Sequence, residues 1–337
     1  MPSTPTTRPR ALFAMGRRHR DTLFPPSAVK RLTTYVDMDP DHVAEDLTEE
    51  PALEHVEILI TSWGCPVLDE EVLARAPALK AIVHAAGSVK HHVTQACWDR
   101  GLQVSSAAAA NAVPVAEYTV AAILFANKRV LEIGGLYRDH RSPLDWSRHF
   151  PGFGNYRRTV GVVGASLVGR KVIELLRPYD LDILLADPYV STLRAAAMGV
   201  RRVELDELVR RSDIVSLHAP ELPETRHLMD TRRLALMRDG TTLINTARGS
   251  LVDTDALTTE ATSGRIHAVI DVTDPEVLPT TSPLYSLPNV LLTPHIAGSL
   301  GGELHRLGAG ALDEIERYCS GEPFAHAVHH AALATSA

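Results

Sequence analysis

The sequence predicts an α/β chain of two doubly wound parallel-sheet domains, and three observations carry that prediction. Short runs rich in Val, Ile and Leu alternate with helical patterns along most of the chain. One such alternation, TVGVVGASLVGRKV (159–172) followed by LDILLADP (181–188), joins an apolar strand, a glycine turn, a helix, a second strand and a terminal acid. The length, 337 residues, exceeds one typical domain and suffices for two substantial cores.

Taken in order, RALFAM (10–15), LTTYVDM (32–38), VEILIT (56–61), LKAIVHA (79–85) and LQVSSA (102–107) read as strands. LDEEVLARAP (68–77) and VTQACWDRG (93–101) read as helices between them. The stretch 111–135 reads as one long helix with Val115, Val120, Ile123 and Leu124 at apolar positions. A Pro- and Gly-rich passage, 137–158, then leads into the glycine turn. Beyond Asp187, helices in ELDELVRRS, TRRLALMR and DTDALTTEATS alternate with strands at 213–218, 241–247, 265–272 and 289–295. The last helix, within 303–321, has no strand partner in that series and is expected to cross back to the first domain. The expected division is 1–112 plus 300–337 against 113–299, with a cleft between domains, where ligands usually sit. Residues 1–9 and 328–337 are expected to fray.

The glycine turn carries the first chemistry. Gly164 and Gly169 let backbone approach a pyrophosphate, and the helix that follows offers free N–H groups and a positive dipole end. Asp187, eighteen residues beyond Gly169, is placed to accept from ribose hydroxyls. This is a dinucleotide (Rossmann) fingerprint with one departure: Ser166 stands at the middle glycine, where its hydroxyl can donate to a phosphate or its Cβ can push the cofactor away.

Composition narrows the partners. A net charge of −7 gives no electrostatic reason to expect nucleic acid or an anionic membrane. Three scattered cysteines, Cys65, Cys97 and Cys319, form no CxxC, so neither a disulfide framework nor a metal site is expected. No uninterrupted apolar segment has spanning length, and MPSTPTTRPR lacks an apolar signal core, so a cytoplasmic location is expected.

Three motifs fall at the C-terminal ends of successive strands, the ligand-facing edge of such sheets. INTARGSLVD (244–253) carries Arg248, DVTDPEVLP (271–279) carries Asp271 and Glu276, and LLTPHIAGS (291–299) carries His295. A guanidinium, a carboxylate and an imidazole at one edge form a coherent set for hydride transfer. Together with NAVPVAE (111–117), these motifs resemble the D-isomer-specific 2-hydroxyacid dehydrogenase family over nearly the whole chain.

The resemblance implies a flavodoxin-like substrate domain, a Rossmann NAD-binding domain and a homodimer paired through the 111–135 helix and the passage to 158. It implies an NAD-dependent oxidoreductase interconverting a 2-keto acid and a D-2-hydroxy acid, with NAD(H) preferred over NADP(H) because of Asp187. Arg248 would anchor the substrate carboxylate, and His295 would act as general acid or base. Glu276 would orient the imidazole and raise its pKa. Asp271 would hold the nicotinamide carboxamide or cap its own loop. Gly164, Ser166, Leu167, Val168, Gly169, Asp187, His218, Ala219, Thr246, Ala247, His295 and Gly298 complete the implied cofactor contacts. A carboxylate at Glu276 disfavours formate as substrate, since the formate-oxidising branch carries an amide there.

In HAAGSVKHHV (84–93), Ala86, Gly87 and Ser88 offer backbone donors to a substrate carboxylate, with Asn111 nearby in the implied site. The family's following acid is missing and Lys90 appears, which suggests a second anionic group on the substrate: a phosphate, phosphonate or carboxylate. His91 and His92 read as surface or supporting residues. Two other readings stay open. One is a nucleotide-sensing regulatory protein on the same scaffold, and the other is a dehydrogenase of a phosphorus oxyanion.

Overall fold

The computed structural model describes residues 8–333. In chain order the strands are β1 (Ala11–Ala14), β2 (Val43–Ala44), β3 (Ile58–Thr61), β4 (Ala81–His84), β5 (Gln103–Ser106) and β6 (Arg158–Val163). They continue as β7 (Leu181–Ala186), β8 (Arg201–Arg202), β9 (Ile214–Leu217), β10 (Thr242–Asn245), β11 (His267–Ile270) and β12 (Val290–Leu292). The helices are α1 (Arg17–Leu23), α2 (Pro26–Tyr35), α3 (Glu70–Arg75), α4 (Gln95–Asp99), α5 (Ala108–Asn127), α6 (Val130–His140) and α7 (Trp146–His149). After them come α8 (Leu167–Leu176), α9 (Thr192–Ala197), α10 (Leu205–Arg211), α11 (Thr231–Leu236), α12 (Thr254–Thr262), α13 (Leu304–Cys319) and α14 (His330–Leu333).

These elements form two compact units, 8–111 with 299–333 and 112–298. The first holds a five-stranded sheet in the order β2-β1-β3-β4-β5, the second a seven-stranded sheet in the order β12-β11-β10-β9-β6-β7-β8. All pairings between these strands are parallel. Such sheets are covered on both faces, and the strand sequences show it. Ala11 and Phe13 of β1 join one core cluster while Leu12 and Ala14 join the other. The same split runs through β6, where Val163 packs on one face and Val160 and Val162 on the opposite one. Between β6 and β9 the strand order reverses, and the carboxyl ends of strands at such a point form the usual ligand crevice.

In the first unit α13 lies against α1 and α2. Gly308 makes this possible: a Cβ there would stand 2.0 Å from the Leu23 carbonyl oxygen. Arg31 bridges from α2 to Asp313 and Glu316 of α13.

Several expectations need correction. Residues 32–35 end α2, and the strand expected over 32–38 does not form. Leu32 and Val36, four apart, point to the same core, the spacing of a helix, and Thr33 and Thr34 donate back to the Lys30 and Arg31 carbonyls. The helix expected over 111–135 is two helices, because Arg129 takes a left-handed conformation (φ 51°) between α5 and α6. Its guanidinium is drawn inward to Glu132, His267 and the Gly240 carbonyl. Residues 328–333 are held rather than frayed: Val328 donates to the Val104 carbonyl and His330 stacks on Trp98. Residues 8 and 9 are likewise held, Arg8 donating to the Thr33 carbonyl and the Pro9 carbonyl accepting from the Asp37 amide, and the rest of the expected fraying, 1–7 and 334–337, lies outside the described residues. One helix, α5, does have the length and apolarity to cross a membrane. Its Ala116, Val120 and Ile123 pack in the core of the second unit.

Candidate functional site

The strand β6 runs out into Gly164, whose φ of +94° favours glycine. A Cβ there would also lie 2.7 Å from the Ala219 nitrogen and 2.9 Å from the His218 carbonyl carbon, so the segment after β9 closes directly onto the turn. At Gly169 a Cβ would stand 2.1 Å from the Gly164 carbonyl oxygen. Ser166, the departure from the glycine pattern, is the N-cap of α8: its Oγ accepts from the Gly169 amide at 3.3 Å. The amides of Leu167 and Val168, in the first turn, have no acceptor among the described residues. They are the free donors a pyrophosphate needs, and the serine supports the turn.

Asp187 follows the end of β7. Its Oδ2 accepts from the Ala165 amide at 2.7 Å and its Oδ1 from the Tyr189 amide at 2.8 Å. Each oxygen keeps a lone pair for a ribose hydroxyl. The turn and its acid are thereby one hydrogen-bonded piece. His218, expected among the cofactor contacts, has its ring buried, with one nitrogen 2.8 Å from Ser216 Oγ and Nδ1 without a partner. Burial pushes its pKa down to about 3. His218 meets the turn through its backbone at Gly164 and through its Cβ at Gly169, not through its ring nitrogens.

Arg248 follows β10 and Glu276 follows β11, and Gly249 sets their loops together. A Cβ on Gly249 would lie 2.1 Å from both the carbonyl carbon and the oxygen of Thr273, so the two loops are in backbone contact. Asn245 Nδ2 donates to the Arg248 carbonyl at 2.9 Å, and Arg248 Nη1 donates to the Ala247 carbonyl at 2.7 Å. No carboxylate among the described residues pairs with this guanidinium. The neighbouring Thr246 is tied by its hydroxyl to Thr119 of α5 at 2.9 Å.

Asp271 is buried, and its carboxylate organises the turn that carries His295. Oδ1 accepts from Thr293 Oγ1 at 2.6 Å and from the Ile296 amide at 2.8 Å, and Oδ2 accepts from the Ala297 amide at 2.9 Å. The capping of its own following loop, the other reading of Asp271, is not what the carboxylate does: its partners belong to the turn after β12, more than twenty residues on, and Oδ2 retains acceptor capacity. Tyr118 of α5 hydrogen-bonds Thr293 at 3.0 Å. Adjacent residues of one helix, Tyr118 and Thr119, therefore brace the His295 turn and the Arg248 loop. Sequence reasoning missed both, because hydroxyls inside an apolar helix give no periodic signal.

His295 takes φ +56° and donates its amide to the Asp271 carbonyl at 2.8 Å. A β-unbranched residue tolerates this strained conformation at a cost, and such positions cluster at functional sites. The conformation presents the ring outward, half-exposed, with Nδ1 3.3 Å from Glu276 Oε1. With Glu276 largely exposed the pair adds little to stability. Its geometry is that of a base with an orienting carboxylate. Gly298 is half-buried at the end of this segment.

In the first unit, the loop after β4 carries the other expected residues. Ala86 is buried, Gly87 and Ser88 are half-buried, and Lys90 is exposed. The Ala107 amide donates to both the His84 and Ala86 carbonyls, and the Lys90 amide donates to Ser88 Oγ at 3.4 Å. Asn111 Nδ2 would stand 3.7 Å from a Cβ on Gly87, while its Oδ1 accepts from the Ser299 amide at 2.9 Å. His91 is exposed, but His92, read as surface or supporting, is buried.

A parallel sheet with a capped glycine turn, an acid just past its next strand and an imidazole–carboxylate pair beyond its last strands has the build of a Rossmann-type dinucleotide domain of the dehydrogenase kind. Residues 120–297 match the family described as D-isomer specific 2-hydroxyacid dehydrogenase, NAD binding domain. D-3-phosphoglycerate dehydrogenase of Mycobacterium tuberculosis is 35% identical over 76% of this chain and 48% of its own length. Glyoxylate reductase of Thermofilum pendens is 34% identical over 69% of each chain. Among solved structures, D-lactate dehydrogenase of Aquifex aeolicus, complexed with NAD and lactic acid, superposes with a TM-score of 0.69. It shares 26% identity and covers 93% of this chain and 96% of that one. The chain belongs to the D-isomer-specific 2-hydroxyacid dehydrogenase family. It spans about half the length of the phosphoglycerate dehydrogenases it matches.

Proposed function

We propose that this chain is an NAD-dependent oxidoreductase interconverting a 2-keto acid and a D-2-hydroxy acid, with residues 8–111 and 299–333 as substrate domain and 112–298 as NAD-binding domain. The observation that carries the reading is the His295–Glu276 pair at 3.3 Å, in a segment matched to the family's NAD-binding domain. Bound NADH would supply the hydride. Arg248, its guanidinium unpaired by any described carboxylate, binds the substrate carboxylate and polarises the neighbouring carbonyl. His295 delivers the proton to the carbonyl oxygen, or removes it in the reverse direction, and Glu276 holds the imidazole in one tautomer. Asp271 positions the His295 turn and offers its remaining acceptor capacity to the carboxamide. Ala86, Gly87 and Ser88 present backbone donors to the carboxylate, with Asn111 beside Gly87. Asp187 favours NAD(H) over NADP(H), since a second anion beside that carboxylate would be repelled.

Lys90 reads a second anionic group on the substrate, a reading supported by the phosphoglycerate relative. Lys90→Ala should raise KM for a phosphorylated keto acid and leave KM for glyoxylate unchanged; equal effects on both would refute this. A homodimer through α6 and the passage to 158 is supported by a helix with no buried residue and with Leu131 and Tyr137 exposed. Three free thiols support a cytoplasmic location. The deciding experiment is a screen of 2-keto acids, simple and phosphorylated, with NADH and NADPH. His295→Ala should lose turnover by about a hundredfold or more while still binding NADH. Full activity in that variant refutes the role, and NADH binding by the unmodified chain without any turnover favours the nucleotide-sensing reading.

A further inference from the structure

The break between α5 and α6 is built around one imidazole, His267, at the start of β11 and so at the end of that strand remote from Glu276. Arg129, the left-handed residue at the break (φ 51°), sends its guanidinium inward to it. Nη1 lies 2.5 Å from Nε2 of His267 and 3.0 Å from Oε2 of Glu132, in the first turn of α6. Nη2 donates to the Gly240 carbonyl at 3.2 Å. Gly240 leaves the room for this: a Cβ there would stand 2.6 Å from Nη2. The Phe150 ring also packs on the guanidinium, its centroid 5.6 Å from Cζ.

A guanidinium has donors only, so Nε2 of His267 must present its lone pair, and the ring is the neutral tautomer with its proton on Nδ1. A second proton has to enter at Nε2, where it would face an N–H of Arg129. The contact therefore excludes the imidazolium. A replacement partner stands close by, because Glu132 Oε2 is 3.8 Å from the same nitrogen. With His267 neutral, Arg129 joins the carboxylate to the ring; with His267 protonated, the carboxylate takes the imidazolium directly and the guanidinium is left over. The other elements around this cavity bring no charge to the ring: α5 contributes Phe125, β10 Thr242 and the segment before β12 Asn289. Burial first, and then Arg129, hold the His267 pKa below its ordinary value, with Glu132 opposing them. Solvent still reaches the ring, whose side chain is 17% exposed.

The helix that follows has little else to fix it. No residue of α6 is buried, and Glu132 is its only ion-paired side chain among the described residues. A left-handed arginine is itself an unfavourable conformation, held only while its surroundings enforce it. We infer that Arg129, Glu132 and His267 form a proton-operated latch: neutral His267 locks the break between α5 and α6, and protonation at Nε2 hands Glu132 to the imidazolium, expels Arg129 and unlocks the break. The sign follows from the contact. The latch is complete above the ordinary histidine value of 6.5 and is lost as pH falls through the lower value of the folded chain. The inference stands apart from the proposed activity, since it needs neither cofactor nor substrate.

The test follows amide hydrogen exchange, corrected for the intrinsic effect of pH, over residues 129–136 and over β10 from about pH 8 to about pH 4.5. It compares the unmodified chain with His267→Gln, which keeps an acceptor for Arg129 and cannot titrate, and with Glu132→Gln, which removes the receiving carboxylate at constant size. In the unmodified chain, protection over 129–136 should fall about tenfold or more across this range, the worth of one hydrogen bond, while protection of β10 stays constant. His267→Gln should abolish the fall, and Glu132→Gln should move its midpoint to lower pH. Imidazole ¹⁵N spectra at neutral pH, with the His267 signal assigned by its loss in His267→Gln, should show the proton on Nδ1. A proton on Nε2 overturns the inference, as does a fall of equal size in His267→Gln or constant protection in the unmodified chain throughout. A fall shared by β10 reports opening of the whole unit and overturns it too. If His267→Gln does not fold, an unshifted midpoint in Glu132→Gln overturns it instead.

Discussion

Adding one methyl group at Gly249 should separate the proposed substrate anchor, Arg248, from the proposed acid–base pair, His295 and Glu276, without unfolding the protein. In Gly249→Ala the new carbon would sit 2.1 Å from the Thr273 carbonyl carbon and oxygen and 2.7 Å from the Asp274 nitrogen. All three are backbone atoms, so no side chain can swing away. Ordinary contact begins at 3.4 Å, and the loops carrying Arg248 and Glu276 must part by about 1.3 Å (3.4 less 2.1). Overpacking of this kind costs about 1–3 kcal/mol, which a domain of typical stability survives. The kinetic effect is larger, because a misplacement of about 1 Å in a reacting constellation is worth roughly a hundredfold in rate. We therefore expect kcat/KM for the keto acid to fall about a hundredfold. Thermal unfolding should stay cooperative, and NADH binding should be retained, since the glycine turn at Gly164 lies on another strand. The assay is loss of NADH absorbance, with a melting curve on the same preparation. A Gly249→Ala protein with more than half the unmodified kcat/KM would refute the claim that backbone contact at Thr273 sets the spacing of the two loops.

Two glycines of α13 should respond oppositely to the same change. Gly308→Ala puts a carbon 2.0 Å from the Leu23 carbonyl oxygen and should lower stability by about 1–3 kcal/mol. Gly310→Ala meets nothing within 4 Å and should raise stability by about 0.5–1 kcal/mol through helix propensity; urea titrations of equal midpoint would refute the packing argument. His218 gives a pH dependence of definite sign. Its pKa falls from 6.5 to about 3 in the folded chain, so the unfolded chain takes up the proton first as pH drops. Its contribution is complete above 6.5 and is lost toward 3, at up to about 1.4 kcal/mol per pH unit. His218→Gln should flatten the fall of unfolding free energy across that window by one proton's worth, and an unchanged slope would show that His218 is protonated when folded.

The sheets were legible because a strand covered on both faces is largely apolar, and runs such as ALFA and ILIT carry that requirement in four residues. The glycine turn was legible for a related reason: Gly164 and Gly169 are sites of backbone-to-backbone contact that no other residue fits. Where a side chain bonds its own helix against its usual strand preference, or depends on a distant partner, the sequence was silent. Thr33 and Thr34 look like strand residues until their hydroxyls are seen to cap carbonyls one turn back. The break at Arg129 depends on Gly240 and His267, more than a hundred residues away. Short elements such as α9 and β8 are too brief to show a period, and β2 spans two residues.

The same distinction separates the parts of the site. Arg248, Glu276 and His295 are visible as motifs because each stands just past a strand that had to be there. What turns three motifs into one constellation is a second set of residues with no motif of their own. Gly249 presses one loop on the next, Asp271 gathers three donors of the His295 turn, and Tyr118 and Thr119 reach two loops from one helical turn. Asp271, Tyr118 and Thr119 act through hydrogen bonds under 3.1 Å, where a small shift breaks the bond. The exposed His295–Glu276 pair has no such enforcement of its own: at 3.3 Å, with both side chains largely in solvent, it holds its geometry only as well as the loops beneath it do. Under the proposed function, catalytic competence is decided one layer below the proposed reacting groups, and substitutions there should separate loss of turnover from loss of cofactor binding more cleanly than substitutions of those groups themselves.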